Sequence, residues 1–561
     1  MKDSIQDWWR NSVVYQIYPK SFNDTTGNGV GDIQGIIEKL DYLDKLGIDV
    51  IWLTPIYDSP QNDNGYDIRD YYSIYKEYGT MNDFNRLLDE AHQRDIKVIM
   101  DIVINHTSTE HEWFKEARKS KDNKYRDFYI WKDGNEGQVP NNWKSKFGGS
   151  AWKYDEQTGQ YYLHLFDVTQ ADLNWENEEV RDKLYEMMNF WLDEKGVDGF
   201  RLDVINLISK REDFPDDYQG DGRRFYTDGP RVHEFMKEMN QEVFSNYDMM
   251  TVGEMSSTNI DDCVKYTNPN RNELDMVFNF YHLKVDYPNG KKWIDVDFDF
   301  LQLKDILSKW QVGMNQGGGW NALFWCNHDQ PRVVTRFGDD QKYHTESAKM
   351  LATTIHLMRG TPYIYQGEEI GMTDPKFDSI DDYRDVESLN AYEIMKEEGK
   401  EKEEIMDAIR AKSRDNSRTP MQWDDSQNAG FTSGTPWIDV APNYKEINVE
   451  AALADKNSIF YYYQKLINLR KDYDIIVDGD YQLILDDHED IFAYLRSYKT
   501  KKLLVINNFY DTETTFKLPA KLENLVDYNS KILISNYDNA PAEFKNIQLR
   551  PYESVVYYLE K

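Results

Sequence analysis

Three acids sit at the ends of separate apolar runs: Asp203 in GFRLDVIN, Glu254 in VGEM and Asp329 in CNHDQPR. A carboxylate in such a setting costs several kcal/mol unless it is paired or used. If these runs are strands of one parallel barrel, their C-terminal ends converge and the three acids share a mouth. Paired carboxylates suit glycoside cleavage, in which one attacks or stabilises the anomeric carbon and another protonates the departing oxygen. Arg201 lies two residues before Asp203 on the same strand face and favours its ionised form, which makes Asp203 the better nucleophile. Glu254 is then the better general acid. It needs a raised pKa, which the apolar Val252 and Met255 and the anions Asp203 and Asp329 favour. His106 and His328 end two runs either as neutral donors to sugar hydroxyls or as ordinary buried groups. The loop DTTGNGVGD alternates oxygen donors at Asp24, Thr26, Asn28, the Val30 carbonyl and Asp32, a spacing that suits a hard cation such as calcium or simply an Asn/Gly turn. The sequence has no other metal-cluster spacing, no nucleotide-binding glycine loop and no Ser-His-Asp arrangement, so hydrolysis is expected to need no organic cofactor.

The elements that must position these groups follow from periodicity. Short β-branched or aromatic runs alternate with amphipathic stretches, the pattern of βαβ units around a parallel sheet. VVYQIYP, DVIWLTP, KVIMDIVINH, VDGFRLDVI, MMTVGEM, LDMVFNF, ALFWCNHD and PYIYQGEE make eight strands. Helices are expected over 33–46, ending at Gly47, over 82–94 and over 178–194, with SIFYYYQKLINLRKDY as the last barrel helix. The rhythm breaks over 107–174, which reads as an inserted domain, and the charged stretch 392–412 reads as a solvated helical excursion. From about Asp474 the period switches to two, the mark of a separate antiparallel β domain.

The chain has 561 residues, with 66 Lys and Arg against 100 Asp and Glu, so its formal charge is 66 − 100 = −34. That acidity argues against nucleic acid or an anionic membrane as a partner, and any anionic substrate must meet a local basic pocket. An aromatic share of 14% suits sugar stacking or a large barrel core equally. Cys263 and Cys326 lie far apart and give no disulfide framework, which fits two buried thiols in a reducing compartment. The N-terminal MKDSIQDWWRNSVVYQIYPKS has no apolar signal core, and no run of about 18 apolar residues occurs, so a soluble cytoplasmic protein is expected.

DIVINH, GFRLDVIN, VGEM and CNHDQPR resemble, in order and spacing, the four sequence regions of the α-amylase superfamily, and QADLN over 170–174 resembles its auxiliary fifth region. The resemblance spans nearly the whole chain. It implies an α/β fold: a (β/α)8 TIM barrel over 1–106 and 175–473, an inserted domain after strand three over 107–174, and a C-terminal antiparallel β-sandwich over 474–561. It implies a retaining double displacement with Asp203 as nucleophile, Glu254 as acid/base and Asp329 as transition-state stabiliser. Tyr66, His106, Arg201 and His328 would line the glucose subsite. Asp63 in DNGYD and Arg418 in SRTPMQW would pair to close the pocket around the non-reducing end, making the enzyme exo-acting. Related enzymes bind calcium in the loop of Asp24, commonly with a carboxylate where this chain has Asn28. Val204 resembles the oligo-1,6-glucosidase group. SFNDTTGNGVGD, FYTDGPRVHEF, HLKVDYPNGKKW and LFWCNHDQPRVV, together with Ala171 and Cys326, are similar to members that hydrolyse trehalose 6-phosphate to glucose and glucose 6-phosphate. A phosphate needs cations in an acidic mouth, and the segment after strand six offers Lys284, Lys291 and Lys292, with Lys284 the best placed. Arg223 and Arg224 are a weaker source of charge. The alternatives are an oligo-1,6-glucosidase or dextran glucosidase acting on isomaltose-type ends and, from another class, a non-catalytic amylase-like interaction subunit.

Overall fold

Eight short runs rich in Val, Ile, Tyr and Trp, residues that fit a pleated and buried surface, form one parallel sheet. They are β1 (Val14–Ile17), β2 (Val50–Leu53), β3 (Lys97–Ile102), β4 (Gly199–Leu202), β5 (Met250–Glu254), β6 (Met276–Phe278), β7 (Ala322–Leu323) and β8 (Thr361–Tyr365). The structure is a computed structural model that describes residues 7–561. The part of the N-terminal reading that falls on residues 1–6 lies outside the described residues. The sheet order is β6-β5-β4-β3-β2-β1-β8-β7, and a parallel bridge from Val277 to Asn321 joins its two edges into a barrel. Each strand coincides with one of the eight runs but is shorter. ALFWCNHD forms only the two-residue β7, and its polar end turns where Asn327 Oδ1 accepts the Asp329 amide at 2.8 Å.

The helix expected over 33–46 is two, Ile33–Glu38 and Leu40–Leu46, broken at Lys39. Asp32 caps the first by accepting the Gly35 amide at 2.6 Å, and Gly47 ends the second in the left-handed region at φ 93°. A Thr80/Asp83 capping box starts Met81–His92. Glu178–Asn189 continues into a wider π-type turn over Phe190–Lys195.

Within 107–174 the chain forms a three-stranded antiparallel sheet of Trp131–Lys132, Gln160–Leu163 and Trp152–Asp155. Its apolar core of Trp143, Trp152, Leu163 and Leu165 is completed by Val204, Leu207 and Tyr226 from the loop after β4. That loop therefore packs with the insertion, which periodicity did not reveal. The stretch over 392–412 is not a solvated excursion. Helices Val386–Glu397 and Lys402–Lys412 bury Ala391, Met395, Ile405, Met406 and Ile409 against Tyr383. The two ends of this hairpin carry Asp385 and Arg414 toward the barrel mouth.

The C-terminal region opens with a short helix, Asp474–Asp478, and not with a strand. A five-stranded antiparallel sheet follows, faced by the pair Thr514–Lys517 and Asn546–Leu549. Along Ile491–Tyr498 the period of two divides the burial: Phe492 and Tyr494 join the barrel's apolar cluster, whereas Ile491, Ala493 and Leu495 fill the core between the two layers. Cys263 and Cys326 are free and buried. No helix among the described residues is long and apolar enough to cross a membrane.

Two glycines test how tightly the barrel is specified. A methyl group on Gly199 at the start of β4 would stand 2.1 Å from the Met250 carbonyl of the adjacent strand, whereas one on Gly47 would meet only Ile467 at 3.7 Å. Gly47→Ala is expected to cost about 1–2 kcal/mol through its left-handed backbone alone, and Gly199→Ala about 3 kcal/mol or more because two strands must part. Thermal unfolding of the two variants side by side checks the ranking, and equal losses would contradict it.

Candidate active site

The register of the central strands creates the site. Arg201 on β4 is paired with Asp101 on β3, and both side chains point into the barrel. Asp203, two residues further along, returns to the same face. On β5, Val252 is the register partner of Arg201, which brings Glu254 to the same end of the barrel. The Arg201 guanidinium donates from Nη1 to Asp101 Oδ1 at 2.7 Å and to Asp203 Oδ1 at 2.8 Å, and its Nη2 contacts Glu254 Oε2. One fork thus holds three acids. The sequence reading had the field around Glu254 set by apolar and anionic neighbours, and the structure adds this guanidinium. Asp101 was missed, although it lies inside DIVINH at the position that faces Arg201.

Asp329, at the end of the run that contains β7, completes the acidic cup. It accepts from Arg418 Nη2 at 2.7 Å, and Arg414 Nη1 lies 3.3 Å from the same oxygen. The pair expected between Asp63 and Arg418 is corrected here. Asp63 meets Arg414 at 3.1 Å, and Arg418 instead serves Asp329 and the His328 carbonyl. Both arginines rise from one helical turn, Asp415–Arg418 and the residue before it, and Arg414 also holds Asp385 at 2.5 Å and reaches Glu387 at 3.6 Å. A basic residue four positions before Arg418, on the same side of a helical turn, was the available signal.

Tyr66, His106, Arg201 and His328 lie close together, but only Tyr66 and His106 line the cavity, with Arg201 and His328 buried behind its wall. Tyr66 donates to Asp101 Oδ2 at 2.9 Å and lies 2.7 Å from His328 Nε2, with the two rings stacked at 5.2 Å. Gln16 Nε2 approaches His328 Nδ1 at 2.8 Å, so a neutral imidazole protonated on Nε2 satisfies both contacts. His106 Nε2 stands 3.2 Å from the Tyr66 carbonyl, and Gln170 of QADLN donates to Asp63 Oδ2 at 3.1 Å. These groups enclose a cavity of about 190 Å³ lined by Asp203, Glu254, Asp329, Tyr66, His106 and Phe166. Larger clefts of 460 and 570 Å³ lie elsewhere on the molecule, and neither contains any of the three strand-end acids.

The three lysines separate. Lys292 borders the cavity, but its ammonium is bound to Glu387 Oε2 at 2.6 Å and its charge is already matched. Lys291 lines a neighbouring groove with Trp293 and Ile394 and does not enter the catalytic cavity. Lys284 borders a second cavity that shares Glu254, Ser256, Asp329 and Gln330 with the first. Arg224 turns away to Asp217 at 2.8 Å, whereas Arg223 is near enough to Lys284 to lower its affinity for a proton, after the larger effect of burial. Lys146, from the inserted segment, joins the catalytic cavity and was not anticipated.

In the loop proposed for a cation, Asp24 accepts from the amides of Thr26, Gly27 and Gly29 at 2.7–2.9 Å and from the Thr432 hydroxyl at 2.5 Å. Asp32 accepts from Thr25 and Gly35, and Asn28 Oδ1 accepts from the Val30 amide at 2.8 Å. The side-chain oxygens of Asp24, Asn28 and Asp32 thus each accept from donors of their own loop or its neighbours, and no step of the chemistry below uses an ion there. Among the described residues no group of three or more His, Cys, Asp or Glu side chains could hold a metal ion.

Burial pushes the Asp203 carboxyl up to about 6, with Arg201 opposing it and Asp101 adding to it. Arg201 is therefore only partly effective in keeping the nucleophile charged. Asp329 behaves differently: burial acts upward, but the permanent charges of Arg414 and Arg418 beside it outweigh burial and hold this carboxyl far below the usual range. Burial brings His328 down to about 3, so the ring is neutral at working pH. Since attack needs the Asp203 carboxylate, kcat/KM is expected to fall as the pH drops through about 6. A pH profile with an acid limb near 4 would contradict this.

Comparison with known proteins agrees with the geometry. The α-amylase catalytic domain matches residues 16–479, and the C-terminal domain of the α-amylase SusG matches residues 491–556. A trehalose-6-phosphate hydrolase of Bacillus subtilis is 68% identical over the full length of both chains, and an oligo-1,6-glucosidase of Parageobacillus thermoglucosidasius is 58% identical over 98% of each. Among solved structures, the trehalose-6-phosphate hydrolase of Bacillus licheniformis superposes with a TM-score of 0.95 at 69% identity, covering 99% of this chain and 100% of that one. With its catalytic domain, its inserted segment and its C-terminal sheet all accounted for, this chain belongs to the α-amylase family.

Proposed function

We propose that the protein hydrolyses trehalose 6-phosphate to glucose and glucose 6-phosphate, with retention of configuration, inside the cell. The observation that carries this is a cavity of about 190 Å³, built around Asp203, Glu254 and Asp329, that adjoins past Glu254 a second cavity bordered by Lys284. The unphosphorylated glucosyl unit occupies the pocket among Tyr66, His106 and Phe166, with Arg414 and Asp63 closing its far end. Asp203 attacks the anomeric carbon while Glu254 protonates the bridging oxygen, and glucose 6-phosphate departs toward Lys284. Glu254 then takes a proton from water, which attacks the anomeric carbon of the glycosyl–Asp203 ester from the face that the leaving group vacated, opposite Asp203, and releases glucose while freeing the Asp203 carboxylate. Asp203 and Glu254 both contact the Arg201 guanidinium, which keeps the two carboxylates together at one end of the barrel, as a double displacement requires. Asp329, kept charged by Arg414 and Arg418, faces the positive charge that develops on the sugar ring.

The likeness to oligo-1,6-glucosidases supports a second reading, cleavage of isomaltose-type ends, which needs the same pocket and no cations at its mouth. A non-catalytic subunit would have no reason to keep three acids converging in one cavity.

Product analysis with trehalose 6-phosphate, trehalose and isomaltose in parallel separates the readings. Glucose 6-phosphate from the first, with little turnover of the others, is expected, and a preference for isomaltose would overturn the proposal. Lys284→Ala is expected to weaken capture of the phosphorylated substrate by about 2–5 kcal/mol if the phosphate is buried, with an unphosphorylated aryl glucoside nearly unaffected. Equal losses on both substrates would clear Lys284 of the role.

A further inference from the structure

The inserted segment contributes one cation to the catalytic mouth that nothing in the assigned chemistry uses. Lys146 stands on a tight turn in which the Gly148 amide donates to the Ser145 carbonyl at 3.2 Å, and its own amide is pinned to the Leu165 carbonyl at 2.8 Å. Its ammonium donates to Ser256 Oγ at 2.7 Å. Ser256 lies two residues after Glu254 and is itself fixed, since its amide donates to Asn206 Oδ1 at 3.0 Å and its carbonyl accepts from Asn206 Nδ2 at 3.1 Å. The position of Lys146 relative to the acid/base is therefore set by three elements at once.

Charge makes this placement unusual. Among the described residues neither Lys146 nor Lys284 forms a salt bridge, whereas Lys292 nearby is matched by Glu387. Burial, then Arg223 and Lys284, brings the Lys146 ammonium down to about 7, with Asp221 and Asp172 pulling weakly the other way. A half-buried ammonium beside two like charges is held at a cost, and an anion that binds between them relieves it. The catalytic cavity and the one lined by Lys284 meet along Glu254, Ser256, Asp329 and Gln330, which is where the leaving half of a disaccharide must lie once its partner ring fills the pocket. A hydroxyl at Ser256 adds a hydrogen-bond donor to the same wall.

We propose that Lys146 is a specificity-determining ligand for the dianionic phosphate ester of the leaving hexose, supplied by the inserted domain and acting with Lys284. This rests on the trehalose 6-phosphate reading above and deepens it. The catalytic barrel alone would then distinguish a phosphorylated from a plain aglycone less well, because one of the two unmatched cations belongs to the insertion. The neighbouring Phe147 belongs to the same turn and borders the glucose pocket, so a single short loop touches both halves of the substrate.

The test uses the full-length enzyme, with Lys146→Met and Lys146→Gln, the latter retaining a hydrogen bond to Ser256 without the charge. Both are expected to raise KM for trehalose 6-phosphate about tenfold or more, the loss of a charge-assisted contact, with kcat changed by no more than about threefold. Kinetics on p-nitrophenyl α-glucoside are expected to stay at the wild-type level. Competition by glucose 6-phosphate is expected to weaken in parallel while competition by glucose does not, and Lys146→Arg is expected to restore most of the affinity. If both variants impair both substrates equally, Lys146 merely braces Ser256 and the inference is overturned. If the wild type binds glucose 6-phosphate no better than glucose, the phosphate reading itself falls. If the wild type shows that preference and Lys146→Gln keeps it, only the role of Lys146 falls.

Discussion

A single guanidinium inside the barrel is the constraint on which the site depends. Arg201 is 1% exposed, and a charge so buried is tolerated only when acids surround it with well-formed hydrogen bonds. Asp101 and Asp203 supply those bonds, Glu254 completes the contact, and Trp52 lies across the face of the guanidinium at 5.1 Å. Removing one partner from such a cluster leaves an uncompensated charge worth about 3–5 kcal/mol. The arrangement therefore locks the spacing of nucleophile and acid to the register of β3, β4 and β5, so the geometry of the chemistry is inherited from strand pairing and not from loops.

Loops supply what the barrel cannot. The turn after the nucleophile holds Val204 at φ 37°, a conformation that costs a β-branched residue of order 1–3 kcal/mol. It is sustained because the Val204 side chain is buried with Trp143, Leu207 and Tyr226 in the core of the inserted segment. The helical hairpin that ends at Lys412 feeds directly into Arg414 and Arg418, whose charges hold Asp329 ionised and close the pocket on Asp63. Two excursions from the barrel thus meet over its mouth, joined where Asn390 donates to the Phe147 carbonyl at 3.2 Å. A pocket closed on one side and cationic on the other accepts a chain end and a charged leaving group, which matches the proposed substrate.

Much of this was legible in the sequence, because alternation and burial leave local marks. All eight strands and the antiparallel C-terminal sheet showed as runs of the right period, the inserted segment showed as a break in that rhythm, and an acid inside an apolar strand announces itself. Pairings between loops leave no such mark. Arg418 was assigned to Asp63, although Arg414, one turn earlier, has the reach. Lys292 carried the right charge, but its partner Glu387 comes from a hairpin 95 residues away. Asp24 and Asp32 accept from nearby amides, contacts that the oxygen spacing in the sequence does not reveal. Lys146 gave no signal at all, since its importance comes from packing against Ser256, 110 residues on.

The central claim is that Asp203 forms a covalent bond to the sugar while Arg201 holds it beside Glu254. Incubating the enzyme with a fluorinated glucosyl fluoride that forms the ester but hydrolyses slowly, then mapping the labelled peptide by mass spectrometry, tests this most directly. One glucosyl unit attached to Asp203 is predicted. Labelling at another acid, or turnover with no covalent species and inversion at the anomeric carbon, would contradict the account.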